Sequence, residues 1–486
     1  MGVDSFDAPS FARAIDGRLV RGGKRQVRGG AVDSRRVEPG NAFFALPGER
    51  TDGHRFLIDA SERGAAALVV TRDIPSEDRA RLEAFPEGGP AVVAVDDALV
   101  ALHAAAREWR GRFDPLVVGV TGSLAKTSTK EQIAEVLAAR WNVLRNTANE
   151  NNEIGLPLTL LRLTPEHEVA VLEMGMYQPG DIAFLAALAR PKIGVVTAVR
   201  GTHVARAGSL DEIERGKREL VEALPDGGTA VLNADDARVA AMAGSVPAGV
   251  GVITYGLEPG ADVTATNVVS LGADGMSFRL HAGGREIEVA TPSLGRHSVH
   301  NALAAAAVGT VAGMDLEGIA GALTQPLSLP HRTTLIDAGD WRLLDDSYNA
   351  APDSMVAALD LLASLPGRRV AVLGEMLELG DTTAEAHRRV GEHAAVTADV
   401  LLAVGSEAPT YVAAVLAARA RVPASAVYEA RDRAEALAVL LEILRPGDVV
   451  LFKASRGAAL DLLLDEVRAH ATKDAARDRR ATEAVR

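Results

Sequence analysis

Short apolar runs recur along the chain, separated by longer stretches of mixed polarity, a rhythm that predicts buried strands alternating with helices. Strand-like runs fall at 42–46, 66–70, 116–120, 169–172, 193–199, 229–232, 370–373, 400–404 and 449–452. Helices are predicted over 99–110, from about 209 onward, and through the Ala-rich stretch 295–306. Phe113-Asp114-Pro115 interrupts the pattern once, and LTQPLSLPH around 326–330 interrupts it again, because proline cannot continue a helix. The reading is an α/β protein in three domains. It has a small N-terminal α/β domain (1–112), a central domain with a mostly parallel sheet (113–327), and a doubly wound, Rossmann-like C-terminal domain (328–472). The polar segment 473–486 is expected to be a frayed helix or a disordered tail.

Composition narrows the function. A chain of 486 residues is too long for one core, and its 48% hydrophobic content supplies several. Without cysteine it has neither disulfides nor thiolate metal sites. A net charge of −13 argues against nucleic acid as a partner, though not against a phosphorylated ligand held by local loops. The opening MGVDSFDAPSFARAIDG has no basic stretch followed by an apolar one, and no apolar run is long enough to span a bilayer, so a cytoplasmic protein is expected. A monomer is expected as well.

The chemistry concentrates in LVVGVTGSLAKTSTKE, 116–131. A buried strand, a turn of small residues and a helix start at Lys126-Thr127-Ser128 form a phosphate cradle, because unpaired N–H groups and the helix dipole both point into the turn. Gly122, Ser123, Lys126, Thr127 and Ser128 are its candidate contacts, with Lys126 reaching phosphate and the Thr127 hydroxyl ligating Mg²⁺. Ala125 stands where such a loop normally has glycine, a penalty of roughly 1 kcal/mol if that position needs φ > 0. Of Asn149, Asn151 and Asn152, one is expected to cap the following helix; three together suggest a polar ligand. Glu173 ends a buried strand, where open α/β sheets place ligand-binding groups, and suits a metal. His203 and Lys217 lie further on, either as site residues or as an ordinary loop histidine and helix lysine. Asn301 either faces a ligand or caps its helix, and Asp33-Ser34-Arg35 with Thr51-Asp52-Gly53-His54 either reads a nucleotide or shapes two turns, the latter favoured by composition alone. In the last domain His331-Arg332, DDSYNA, Gly374-Glu375-Met376, Gly405 and Lys453-Ala454-Ser455-Arg456 follow strands and gather charge at one crevice.

In this order, DSR, DGH, TGSxxKTSTKE, NxNNEIGLPLTLL, ExG, the His203 to Lys217 spacing, HxxxNALAA, DDSYNA and GEMLELG resemble the Mur ligases of peptidoglycan synthesis over nearly all of residues 30–465. The resemblance is strongest to the branch that adds D-alanyl-D-alanine to a UDP-N-acetylmuramoyl tripeptide. It implies domains for the UDP-sugar peptide, for ATP and for the incoming amine, with ATP and Mg²⁺ as cofactors. The peptide carboxylate is phosphorylated by ATP and the acyl phosphate is then attacked by the amine. It further implies that Lys126 and Thr127 hold phosphate and metal, that Glu173 and His203 hold or support metals, and that Lys217 is carbamylated to bind a second Mg²⁺. Asn301, Arg332 and Asp346 would contact ATP, and Asp33, Ser34 and Arg35 the uridine. The remaining substrate contacts would be Asn149, Asn151, Asn152, Tyr348, Asn349, Lys453, Ser455 and Arg456. Ala125, Ser298, Ala351 and Ala454 depart from the family pattern, which has Gly, Asn, Asn and Gly there. A ligase for another amine or peptide, or a weakened binding subunit, would show such departures too.

Overall fold

The computed structural model describes residues 4–48, 51–85, 89–147, 150–201, 208–327, 329–418 and 420–471. Three sheets follow one another along the chain. The first runs β1 (Arg18–Arg21), β2 (Gly30–Ala31), β3 (Ala42–Phe44), β4 (Ala67–Val70) and β5 (Ala91–Ala94), in the spatial order β1-β5-β4-β3-β2 with only β1 antiparallel. β3 and β4 are buried on both faces, which explains their uninterrupted apolar sequence.

Helix Ala98–Arg110 leaves this sheet with an apolar stripe of Ala101, Leu102, Ala105, Ala106 and Trp109. That stripe packs into one core holding both Phe44 and Val69 of the first sheet and Leu156, Leu160 and Leu172 of the next unit. The Trp109 indole N–H also donates to Leu163 O (3.0 Å), and Arg110 Nε donates to Ala189 O (2.9 Å). The first two units therefore share hydrophobic interior across the Phe113-Asp114-Pro115 linker. Truncating Trp109 would remove about 3–5 kcal/mol of it.

The central sheet comprises β6 (Leu116–Thr121), β7 (Val143–Arg145), β8 (Val169–Glu173), β9 (Ile193–Val196), β10 (Thr229–Asn233), β11 (Gly251–Gly256), β12 (Val263–Ser270), β13 (Met276–Ala282) and β14 (Arg285–Thr291). Its order is β14-β13-β12-β11-β10-β9-β6-β8-β7, parallel from β12 to β7. Two features differ from expectation. β9 stops at Val196 rather than running to 199, because the Thr197 hydroxyl turns to donate to Leu124 O (2.6 Å). An antiparallel extension, β12 to β14, closes the far edge. β13 alternates buried and half-buried positions, and Gly283 (φ 58°) and Gly284 (φ 74°) form the two-residue turn that only φ > 0 residues make without strain.

The third sheet contains β15 (Thr334–Ala338), β16 (Trp341–Asp345), β17 (Arg368–Leu373), β18 (Val400–Val404), β19 (Val427–Ala430) and β20 (Asp448–Lys453), ordered β15-β16-β20-β17-β18-β19 with β15 the antiparallel edge. Ala371 and Leu373 of β17 pack on helices Pro352–Ser364, Thr383–Thr397 and Ala408–Ala418. Val370 and Val372 pack on the opposite layer, helix Arg433–Ile443 and the helix at 460–471. This is the doubly wound arrangement the alternation predicts. Among the described residues no helix is long and apolar enough to cross a membrane.

Candidate active site

Parallel strands deliver their carboxyl ends side by side, so β6, β8, β9 and β10 present their loops at one rim. There the chain between β6 and helix Lys126–Ala138 is stitched to its neighbours. Thr121 Oγ1 donates to Met174 O (2.9 Å), Ser123 N donates to Ala198 O (2.7 Å) and Ser123 Oγ donates to Arg200 O (3.0 Å). Gly122 is required by proximity, since a Cβ there would lie 1.9 Å from Thr197 Oγ1. Ala125 caps the helix with φ 61° and ψ 4°, the left-handed conformation that glycine adopts freely, and its methyl group is exposed.

The loop opens onto a cleft of about 740 Å³ lined by Gly122 to Thr129, Asn151, Asn152, Glu173, Lys217 and Asn301 on one side and by Arg332, Asp346, Tyr348, Asn349, Lys453 and Arg456 on the other. Glu173 is 3% exposed. Its Oε2 accepts from the Thr127 hydroxyl (2.7 Å) and its Oε1 from Asn151 Nδ2 (2.7 Å). Lys126 is half-buried, and burial lowers its pKa, aided by Arg332 and opposed by Glu173. Lys217, on helix Leu210–Glu222, is 4% exposed, and its pKa falls well below the usual lysine value through burial and then the charge of Lys126. Two lysine side chains thus converge at the loop, an arrangement that a bound anion relieves.

The C-terminal wall reaches across the seam. Arg332 Nη2 donates to Thr127 Oγ1 (3.2 Å), and the Tyr348 ring lies against the guanidiniums of Arg332 (4.1 Å) and Arg456 (5.0 Å). Lys453, 2% exposed, pairs with Asp346 Oδ2 (2.5 Å) and donates to Asn349 O (3.1 Å). Asn301 Oδ1 accepts from the buried Thr129 hydroxyl (2.9 Å), so this asparagine braces the phosphate helix while lining the cleft. Burial lowers the pKa of His297 beside it.

Asn152 is the expected cap among the three asparagines, accepting from Ile154 N (3.2 Å) and Gly155 N (2.9 Å) before helix Gly155–Leu160 while also lining the cleft. Other expected residues sit elsewhere. Ser455 is buried behind the wall, accepting from Leu377 N (2.9 Å). Asp33, Ser34 and Arg35 do not line the cleft. Asp33 accepts from Arg35 N (3.0 Å) and from its guanidinium, shaping the turn, and the adjoining Arg36 pairs with Glu150 (2.7 Å) on the loop that carries Asn151. The second N-terminal cluster is also a turn: His54 Nε2 accepts from Thr71 N (3.1 Å), which puts the ring proton on Nδ1, bonded to Asp52 (2.7 Å). Asn149 and His203 lie outside the described residues. Of the departures, Ser298 folds back to donate to Gly295 O (2.8 Å), Ala351 begins helix Pro352–Ser364 without a side-chain cap, and the Ala454 methyl fills the space beside Gly374.

Some contributors went unnoticed in the sequence. Thr197 pins the loop. Asp235 accepts from Leu257 N and Glu258 N and pairs with His300 (2.8 Å) at the cleft. Arg200 bonds Asp236 and reaches Asp353 (3.3 Å) across the seam. Asp235-Asp236 follows a strand end, the same signal that singled out Glu173.

Residues 26–110 match the model "Mur ligase family, catalytic domain", 120–309 the "Mur ligase middle domain", and 331–456 the "Mur ligase, glutamate ligase domain". A UDP-N-acetylmuramoyl-tripeptide–D-alanyl-D-alanine ligase of Synechocystis is 39% identical over 90% of this chain and 91% of its own. The MurF crystal structure from Acinetobacter baumannii superposes with a TM-score of 0.83 at 28% identity, covering 96% of this chain and 99% of that one. MurF from Thermotoga maritima in complex with ADP gives 0.77 at 28% identity, covering 92% and 99%.

Proposed function

The chain belongs to the Mur ligase family, and on that premise we propose that it joins D-alanyl-D-alanine to the terminal carboxylate of a UDP-N-acetylmuramoyl tripeptide, coupled to cleavage of ATP, in the cytoplasm. The observation that carries the reading is the convergence of Lys126, Thr127, Glu173 and Lys217 from the central sheet with Arg332 from the next. In this reading 1–112 receives the UDP-sugar peptide, 113–327 the ATP and 328–472 the amine, with the exposed Arg35 at the uridine end.

The loop N–H groups and Lys126 hold the β- and γ-phosphates in line with the peptide carboxylate, whose oxygen displaces ADP from the γ-phosphorus. The neutral amine of D-alanyl-D-alanine then adds to the acyl carbonyl, and the tetrahedral adduct loses the amine's extra proton to solvent or to the departing phosphate as it expels that phosphate and leaves the amide. Both partners of the first step are anions, so the site's work is neutralising charge. Lys126, Arg332 and Lys453 supply part of it. The donor chemistry fits Mg²⁺: a hydroxyl and a carboxylate, both hard oxygens, already meet at Thr127 and Glu173, leaving positions for phosphate and water. When bound, Mg²⁺ would add electrostatic stabilisation of the transferring phosphoryl group. His203 is assigned to the same support on resemblance.

Burial and the charge of Lys126 push the Lys217 amine toward its neutral form, the form that adds to CO₂. Adding CO₂ and losing one proton, the neutral Lys217 amine would become a carbamate, placing an anionic oxygen ligand for a second ion beside Lys126. Asn151 holds Glu173, and Asn149, Asn152, Asn301, Asp346, Tyr348, Asn349, Ser455 and Arg456 are proposed to shape or contact the bound substrates and nucleotide. The test is ADP release and peptide-bond formation by the purified protein with ATP, Mg²⁺, UDP-N-acetylmuramoyl tripeptide and D-alanyl-D-alanine. Turnover dependent on all four is expected; nucleotide binding without amide formation from any dipeptide would refute the reading.

A further inference from the structure

β7 stops pairing with β8 at Arg145 opposite Val171, two residues before Glu173. Beyond that point a side chain replaces the missing strand. Asn146 is 1% exposed. Its Oδ1 accepts from Glu173 N (2.9 Å), while its Nδ2 donates to Glu173 O (3.0 Å) and to Glu150 O (2.8 Å). Only an amide can offer both an acceptor and donors at that spot, which is what a peptide's N–H and C=O together demand.

The backbone carbonyl of Asn146 is itself held. It accepts from Lys130 Nζ (2.5 Å), a fully buried ammonium one turn beyond Lys126 on the phosphate helix, which also pairs with Glu131 (2.6 Å). The bonds close a ring: Thr127 to the Glu173 carboxylate, Glu173 backbone to Asn146, Asn146 to Lys130, and Lys130 through the helix back to Thr127. Nδ2 also fastens the loop whose Asn151 bonds the other carboxylate oxygen.

We propose that Asn146, seconded by Lys130, is a positioning residue that fixes the Glu173 carboxylate against the phosphate loop at the separation a divalent cation requires. This rests on the reading that Thr127 and Glu173 hold the metal. Mg²⁺ tolerates little departure from octahedral geometry, so a carboxylate at a strand end released from its neighbour would bind it poorly. Partners one step removed from a metal commonly change its affinity about ten- to a hundred-fold.

The test measures metal directly. Protein saturated with a non-hydrolysable ATP analogue is titrated with Mn²⁺ and the free ion followed by electron paramagnetic resonance. Asn146→Ala is expected to weaken Mn²⁺ binding at least about tenfold while the analogue alone still binds. Asn146→Asp preserves volume and acceptor but loses the Nδ2 donors, so it should show the same loss even if the alanine variant folds poorly. Leu144→Ala loosens β7 from its core side and should lower the unfolding temperature without moving Mn²⁺ affinity by more than about twofold. Wild-type affinity in both Asn146 variants, or an equal loss in Leu144→Ala, overturns the positioning role. Absence of Mn²⁺ uptake by the wild-type complex would instead overturn the metal reading beneath it.

Discussion

Replacing Ala125 by glycine should make the protein more stable, against the general rule that glycine loosens a chain. The residue sits at φ 61° and ψ 4°, immediately before helix Lys126–Ala138. An L-residue with a Cβ is disfavoured there by about 1–2 kcal/mol, whereas glycine loses about 0.5–1 kcal/mol through its freer unfolded chain. The methyl is exposed, so no packing is surrendered, and alanine offers no cap to the helix, a position where glycine is the better residue. The net is a gain of roughly 0.5–1 kcal/mol, or a rise of about 1–4 °C in the unfolding midpoint of a unit this size. Calorimetry of the unliganded protein reads it, and Ala125→Val should move the midpoint the other way because a β-branched side chain fits that conformation worse. A midpoint that stays or falls in Ala125→Gly would show that the loop is not strained at this residue.

Lys217→Ala should nearly abolish ligase turnover, with added bicarbonate failing to rescue it, and CO₂ depletion should slow the wild type; full activity in the variant would remove Lys217 from the mechanism. Gly374→Ala brings a Cβ to 2.8 Å from the Ala454 methyl and should destabilise by about 1–3 kcal/mol, much of it recovered in the Gly374→Ala/Ala454→Gly double variant; denaturant unfolding that gives additive effects would refute the contact. Asp52 is lowered to about 2, chiefly by the His54 backbone N–H and then by the His54 ring and Arg72. A depressed carboxylate stabilises above its unfolded value near 3.8 and loses that contribution as pH falls toward 2, so Asp52→Asn should cost about 1 kcal/mol at pH 7 and progressively less below pH 4. A pH-independent difference would contradict this.

The parts of the fold that were legible in the sequence are those where one physical cause dominates. β6, β8 and β20 are buried on both faces and announce themselves as apolar runs, and Glu173 stands out because a carboxylate rarely ends such a run. The antiparallel extension β12 to β14 was missed because its faces alternate between core and solvent, and such mixed sequence resembles loop until the Gly283-Gly284 turn is noticed. Ser455 is singled out by residue type and motif, but a hydroxyl serves a backbone N–H as readily as a ligand, and only tertiary placement decides. Asn146 passed unnoticed for the converse reason: its bonds run to main-chain atoms of a strand distant in sequence.

The guanidinium that touches Thr127 belongs to a different sheet from the loop it completes, as do Tyr348 and Lys453 on the opposite wall. On the proposed reading, a central unit standing alone would hold a nucleotide without the cations of the far wall, and the terminal phosphate meets its full complement of charge only where the two walls of the cleft come together.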